Sequence, residues 1–156
     1  MQVELEHVRD QVRSAFADVA PETDIAKMRR PAFTGDDSYE MAQAFVGKKW
    51  SELAADALFY HRESLAALNA NAYRAYIAAY LLAAIGSLDP LDRIGPDLRH
   101  YLVASLEPGP DAVDRVSKLS SAQRAAVVGV LRALERTWHM PEAATAAEAL
   151  TARTSS

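Results

Sequence analysis

Apolar positions recur along this chain at intervals of three and four, the spacing of one face of an α-helix. Leu5, Val8, Val12, Ala15, Phe16 and Val19 form the first such row, with Glu6, Arg9, Asp10 and Arg13 outside it. The row predicts a helix over residues 3–19 that Pro21 stops. Thr23 is placed to cap a short turn bearing Ile25 and Met28, brought to an end by Pro31 and the Gly35-Asp36-Asp37 stretch. Asp37 and Glu40 have capping-box spacing and open a short helix through Met41 and Phe45 that Gly47 can close. Ser51 is read as the cap of the next helix, whose inner row is Ala54, Leu58, His61, Leu65 and Leu68.

The pattern then changes. From Ala75 to Ile85 every residue is apolar, with Arg74 just before and no further charge until Asp89. Apolar residues that run all the way round a helix demand neighbours on all sides, so this stretch predicts a buried central helix of about 70–86. Asn69 or Asn71 can cap its start, Gly86 can end it in a left-handed turn, and Pro90 blocks resumption. Pro96 and Asp97 open another helix with Leu98, Leu102 and Leu106 inward, which Glu107-Pro108-Gly109-Pro110 closes. Asp111 starts a short segment bearing Val113 and Val116. Ser120 and Gln123 form a second capping box before a long helix with Val127, Leu131, Leu134 and Trp138 on one side. Gly129 within it costs about 1 kcal/mol against alanine, so it is expected where a neighbouring helix comes close. From Pro141 the chain is alanine-rich, with a faint row at Ala143, Ala147 and Leu150.

These elements give an all-α class: an irregular bundle of six to eight helices around the central one. Residues 1–140 are read as a single helical domain and 141–156 as an alanine-rich C-terminal helix or frayed tail. No repeat and no strand pattern interrupts the reading.

Composition narrows the chemistry. With no cysteine, disulfides, thiolate catalysis and cysteine-ligated zinc are excluded, and a reducing compartment fits. The first residues lack a signal-peptide core and eleven apolar residues fall short of the ~20 that span a bilayer, so a cytoplasmic protein off the membrane is expected. Net charge is −4, and the excess acid lies in residues 1–68, which hold 8 basic and 12 acidic side chains. Such a balance repels phosphate, which removes nucleic acid from the expected partners. The stretch LSSAQRAAVVGVL at 119–131 looks like the first helix of a helix-turn-helix, yet residues 137–152 carry none of the arginine, lysine, asparagine or glutamine that would read bases.

Candidate chemistry is sparse. Glu4 with His7, and Asp97 with His100, have the spacing that puts carboxylate and imidazole on one helix face. The central helix supplies no inward carboxylate to complete a metal set, so no metal and no cofactor are expected. His61-Arg62-Glu63 looks like the start of a zinc deaminase motif, which needs cysteine ligands that are absent. His61 stands in an apolar row, where a core histidine and a catalytic base are both open readings. Tyr73, Tyr76 and Tyr80 share one side of the central helix, either as core packing or as an aromatic groove for a partner.

Phe45-Val46-Gly47-Lys48-Lys49-Trp50, then Tyr76-Ile77-Ala78-Ala79-Tyr80-Leu81, then Leu119-Ser120 with Gln123 and Leu131 resemble an uncharacterised bacterial all-helical domain family over about residues 5–135. The resemblance implies a helical fold and a bacterial source and no activity. A proline stands in that family's tyrosine-rich helix where this chain has Ala78, so the kink it implies is not expected here. From the residues themselves, Trp50 is expected to anchor a corner before the Ser51 cap.

The function these features point to is non-enzymatic binding of another protein, as an immunity protein or adaptor, through an acidic or aromatic surface. The alternative is a small-molecule binder or enzyme with a pocket where His61 meets Tyr60, Tyr73, Tyr76 or Tyr80. Phe45, Trp50, Tyr60, His61, Tyr73, Tyr76 and Tyr80 are the candidate interaction or pocket residues. A homo-oligomer joined through Trp138 and the alanine-rich tail is a third alternative.

Overall fold

The computed structural model describes residues 2–29, 36–86, 88 and 92–154. Among them the α-helices are α1 (Gln2–Ala15), α2 (Asp36–Phe45), α3 (Ala55–Tyr60), α4 (Ala70–Ala84), α5 (Ile94–Ser105), α6 (Pro110–Arg115), α7 (Ser121–Trp138) and α8 (Pro141–Thr154). Short 3-10 segments lie at Ile25–Lys27, Trp50–Glu52 and Arg62–Ala67. No strand forms among the described residues, and the class is all-α as expected. Nor is any described helix long and apolar enough to cross a membrane.

Helix α4 is the hub. Residues 75–81 are buried without a break, and on the helix only Asn71 and Arg74 are exposed. Helices α1, α3, α5 and α6 and the turn at Trp50 pack around it, while α7 lies against α1 and α8. Asn69 caps α4 by accepting from the Ala72 N–H at 2.9 Å. Asn69 also donates its backbone N–H to Met28 at 2.8 Å, which ties the start of the hub to the first 3-10 segment.

At the other end the hub's carbonyls are taken by arginines from other helices. Arg9 of α1 donates to the Ile85 carbonyl at 2.7 Å and Arg99 of α5 to that of Ala84 at 3.2 Å. Arg115 does the same elsewhere, reaching the Ser105 carbonyl at 2.8 Å and that of Ala66 at 3.3 Å. Helix ends leave carbonyls without intrahelical partners, and a guanidinium is suited to them by charge and by its several donors. With its carbonyls satisfied in this way, α4 closes without a left-handed glycine: Gly86 has no positive φ and bonds back to Ala83 at 3.2 Å. Gly47 does adopt φ 77° after α2 and donates to the Glu22 carbonyl at 2.8 Å.

Several expected boundaries move. Helix α1 ends at Ala15 rather than near residue 19, because the carbonyls of Ala15 and Phe16 accept from Gln123 and Trp50 side chains at 3.2 and 2.9 Å. Asp24, not Thr23, caps the segment at Ile25. The single helix expected after Ser51 is divided into a 3-10 turn, α3 and a second 3-10 stretch, and Ser51 caps none of them. Ala54 is exposed, whereas Leu58, His61, Leu65 and Leu68 do face the core. Val113 is exposed and Val116 buried. The expected stops at Pro31, Gly35 and Pro90, the Asp37 side chain with its capping box, and the last residues of the tail lie outside what is described.

The second capping box forms as expected. Ser120 accepts from the Gln123 N–H at 3.1 Å and Gln123 accepts from the Ser120 N–H at 2.9 Å. Helix α7 ends at His139, which takes a left-handed conformation at φ 55° and turns the chain into α8. Ala143, Ala146, Ala147 and Leu150 of α8 are buried within the chain, and the Trp138 ring carries the Arg99 guanidinium at 4.5 Å. Of the residues expected at a homo-oligomer contact, Trp138 is half-buried and the tail's apolar row is buried within the chain.

Two glycines test this packing with opposite signs. A Cβ on Gly129 would meet only the flexible end of Gln11 in α1, at 2.9 Å, so helix propensity decides: Gly129→Ala is expected to stabilise by up to about 1 kcal/mol in urea unfolding. A Cβ on Gly95 would sit 2.3 Å from the Asp92 carboxylate, which caps α5 by accepting from Ile94 and Gly95. Gly95→Ala is expected to destabilise by about 1–2 kcal/mol, the usual cost of losing a cap.

Candidate functional site

The aromatic candidates separate into an inner set that ties the hub to other helices and an outer set at the surface. Each hub tyrosine sends its hydroxyl to the C-terminal end of a different helix. Tyr73 pairs with the Ser105 Oγ of α5 at 2.9 Å. Tyr76 donates to the Phe45 carbonyl that ends α2 at 2.8 Å, and Tyr80 to the His61 carbonyl after α3 at 3.4 Å. All three side chains are fully buried. Burial pushes their hydroxyl pKa values above the ordinary tyrosine value, with the Ser105 bond and the Arg115 charge opposing that shift at Tyr73.

Phe45 is buried beside them, its ring 5.3 Å from that of Tyr76 and 6.4 Å from that of Tyr80. The His61 ring meets Phe45 edge-on at 5.7 Å and is met edge-on by Tyr60 at 4.8 Å. A line of rings thus leads from the hub to the surface. His61 is 8 % exposed and Tyr60 71 % exposed at its outer end. Trp50 stands apart: its indole N–H holds the end of α1, and the ring packs as a corner.

His61 and Tyr60 border a hollow of about 90 Å³ with Glu40, Glu63 and Ser64. Ligand pockets begin at roughly 300 Å³. Of the four tyrosines considered with His61, only Tyr60 reaches this hollow, because the hydroxyls of the other three are sealed against helix ends.

Beside Tyr60 the sequence brings together residues that periodicity did not single out as a surface. The Arg62 guanidinium lies 4.2 Å from the Phe59 ring centre and 5.9 Å from that of Tyr101. It donates to the Phe59 carbonyl at 2.8 Å and faces Asp97 at 3.5 Å. The Tyr101 hydroxyl donates to Glu63 at 3.1 Å, and that carboxylate raises its pKa. Asp97 and Glu63 therefore stand with one guanidinium and the accessible Tyr101 ring, while Glu40 and Glu63 border the hollow beside Tyr60. Arg62-Glu63 and Asp97 had suggested metal chemistry by spacing alone. Instead Asp97 pairs with Arg62, and Glu4 pairs with Arg136. Among the described residues no three histidine or carboxylate side chains come together as a metal site.

A larger cleft of about 520 Å³ lies further along α5. Its apolar wall is Val103, Ala104, Pro108 and Met140, and its polar margin is His100, Glu107, Glu142 and Thr145. Nothing in local periodicity shows it, since its two sides come from α5 and α8 and meet only in the folded chain.

Comparison with protein-family models, with curated proteins and with solved structures finds no match for this chain. The fold and the site geometry are therefore the grounds for a functional reading.

The hub tyrosines give two tests. Tyr76→Phe removes one of two donors to the Phe45 carbonyl, which keeps the Lys48 N–H at 3.0 Å, and is expected to cost about 0.5–1.5 kcal/mol, while Tyr80→Phe, which removes a longer bond, is expected to cost less. Unfolded tyrosine loses its proton near pH 10 while the buried residues keep theirs, so the unfolded state then binds fewer protons and stability falls as pH rises. Urea unfolding is expected to show a flat tyrosine contribution below about pH 9 and a decline of about 1.4 kcal/mol per pH unit for each of Tyr73 and Tyr80 above pH 10.

Proposed function

We propose that the chain is a non-enzymatic, protein-binding protein of a bacterial cytoplasm, of the immunity-protein or adaptor kind, and that it recognises a basic surface on its partner through the strip formed by Tyr60, Glu63, Asp97 and Tyr101. The observation that carries this reading is the exposure of Tyr60, 71 % open at the end of an otherwise buried line of rings. Tyrosine at a surface offers a large, amphipathic anchor with little rotamer entropy to lose, which is why it is enriched where binding energy concentrates. The neighbouring groups are already ordered: Arg62 is held between Phe59 and Tyr101, and Glu63 is held by the Tyr101 hydroxyl. Pre-ordered side chains lower the entropic cost of association. The excess of carboxylates over guanidinium in the strip favours a positively charged partner and adds to its rate of encounter.

The test is capture from the native host with three baits: the wild-type chain, the double variant Tyr60→Ala/Glu63→Lys, and Asp18→Lys as a charge control away from the strip. The expected result is one protein retained by the wild type and the control and bound at least about tenfold more weakly by the double variant, a loss of about 1.4 kcal/mol. Thermal unfolding of the double variant should match the wild type closely, since both side chains are exposed. Equal recovery of all proteins by the three baits would remove the strip as the recognition surface.

A further inference from the structure

We infer that the cleft between α5 and α8 is a binding site for an organic cation, a primary ammonium or guanidinium carried on an apolar body. This site is separate from the Tyr60 strip and does not depend on the protein-binding reading. Its volume of about 520 Å³ falls within the roughly 300–1,000 Å³ of small-molecule sites. Val103, Ala104 and Met140 give it an apolar wall that would accept a ring or branched alkyl group.

Charge decides the class of ligand. Glu107 and Glu142 both line the cleft, and among the described residues no lysine or arginine does. Glu107 follows the last turn of α5, the negative end of that helix dipole, so the field of the backbone adds to the carboxylate. The opposing influence is the N-terminus of α8, which would draw an anion. Glu142 already stands in its first turn and offsets it with a negative charge. His100, at the margin of the cleft, has its ring against Tyr101 at 5.1 Å. The balance therefore favours a positive head near the two carboxylates with the apolar body against Met140.

A second feature bears on the same place. His139 is the single non-glycine residue with positive φ among the described residues, and it stands immediately before Met140. That conformation is a common way for a helix to end, and it closes α7 with the His139 N–H on the Leu134 carbonyl. Here it sets the corner from which Met140 closes the cleft.

The experiment titrates the full chain with tryptamine and, separately, with indole-3-propionate, which has the same ring and a chain ending in the opposite charge, and follows backbone amide and methionine methyl resonances. Tryptamine is expected to shift the signals of Val103, Ala104, Glu107, Met140 and the first turn of α8, and to bind at least about tenfold more tightly than the anion. Glu107→Gln/Glu142→Gln, at two exposed positions, is expected to weaken tryptamine at least about threefold, whereas Tyr60→Ala/Glu63→Lys is expected to bind it as the wild type does. Equal shifts from both compounds, shifts located elsewhere, or no shift from tryptamine at millimolar concentration would overturn the assignment.

Discussion

A helix without a charged residue from Ala75 to Ile85 must be enclosed, and enclosure leaves its polar atoms dependent on groups brought from other parts of the chain. Water is not at hand for the hydroxyls of Tyr73, Tyr76 and Tyr80 or for the last carbonyls of α4. A buried polar atom left unpaired costs about 1–3 kcal/mol, so a few such omissions would consume much of the ~5–15 kcal/mol by which a domain is stable. The chain meets this constraint by pairing two sets of unsatisfied groups. Hub tyrosines donate towards the ends of α2, α3 and α5, while arginines of α1 and α5 donate to the end of the hub. Each tyrosine bond adds a partner at a helix end and fixes where that end stands against α4.

This arrangement explains why an aromatic-rich interior does not amount to a pocket. The Phe45 ring lies 5.3 and 6.4 Å from those of Tyr76 and Tyr80, close enough for favourable tilted contacts, and α2 and α4 are joined by a hydroxyl bond as well. Space for a substrate there would require breaking packing and hydrogen bonds together. Recognition chemistry is consequently left to the surface, where Tyr60 continues the same line of rings outward and where α5 turns its second face to solvent.

The sequence was legible where local signals and burial agree. The uninterrupted apolar run defined α4, Asn69 defined its cap, and Ser120 and Gln123 defined the start of α7, whereas Gly129 meets only the flexible Gln11 side chain of α1, so no close helix approach requires it. The continuous α4 also agrees with alanine at position 78, where no proline forces a kink. Legibility failed between Ser51 and Leu68, and the reason is tertiary. A continuous helix would use the carbonyls of Phe59 and His61 for its own next turn, but Arg62 and Tyr80 side chains take them, and Ser64 bonds back to His61 at 3.1 Å. A 3-10 helix turns once per three residues, and His61, Ser64 and Ala67 are buried at that interval. The apolar row at Leu58, His61, Leu65 and Leu68 fits either period, so composition alone favoured the commoner helix. Of the candidate side chains, the structure joins Phe45, Tyr60, His61, Tyr76 and Tyr80 into one line and separates Trp50 and Tyr73 from it. Whether a tyrosine ends inside or outside depends on which helix end its hydroxyl meets, and that is not written in its spacing.

Helix α5 shows how the same constraint supports surface sites. Leu98, Arg99, Leu102 and Ser105 face inward, where Arg99 and Ser105 serve the hub's carbonyl and hydroxyl groups. The positions between them, Asp97, His100, Tyr101, Ala104 and Glu107, recur at helical spacing on the opposite side. Because the inner face is fixed at both ends, the outer face can move little, and a rigid support is what holds recognition groups in a defined geometry. The carboxylates and rings near Asp97 and the cleft near Glu107 thus sit nearly three turns apart along α5 and its end, each completed by a different neighbour: the segment after α3 in one case and the corner before α8 in the other. A change that loosened α5 from the hub would disturb both features together, whereas a change in either neighbour would disturb one alone.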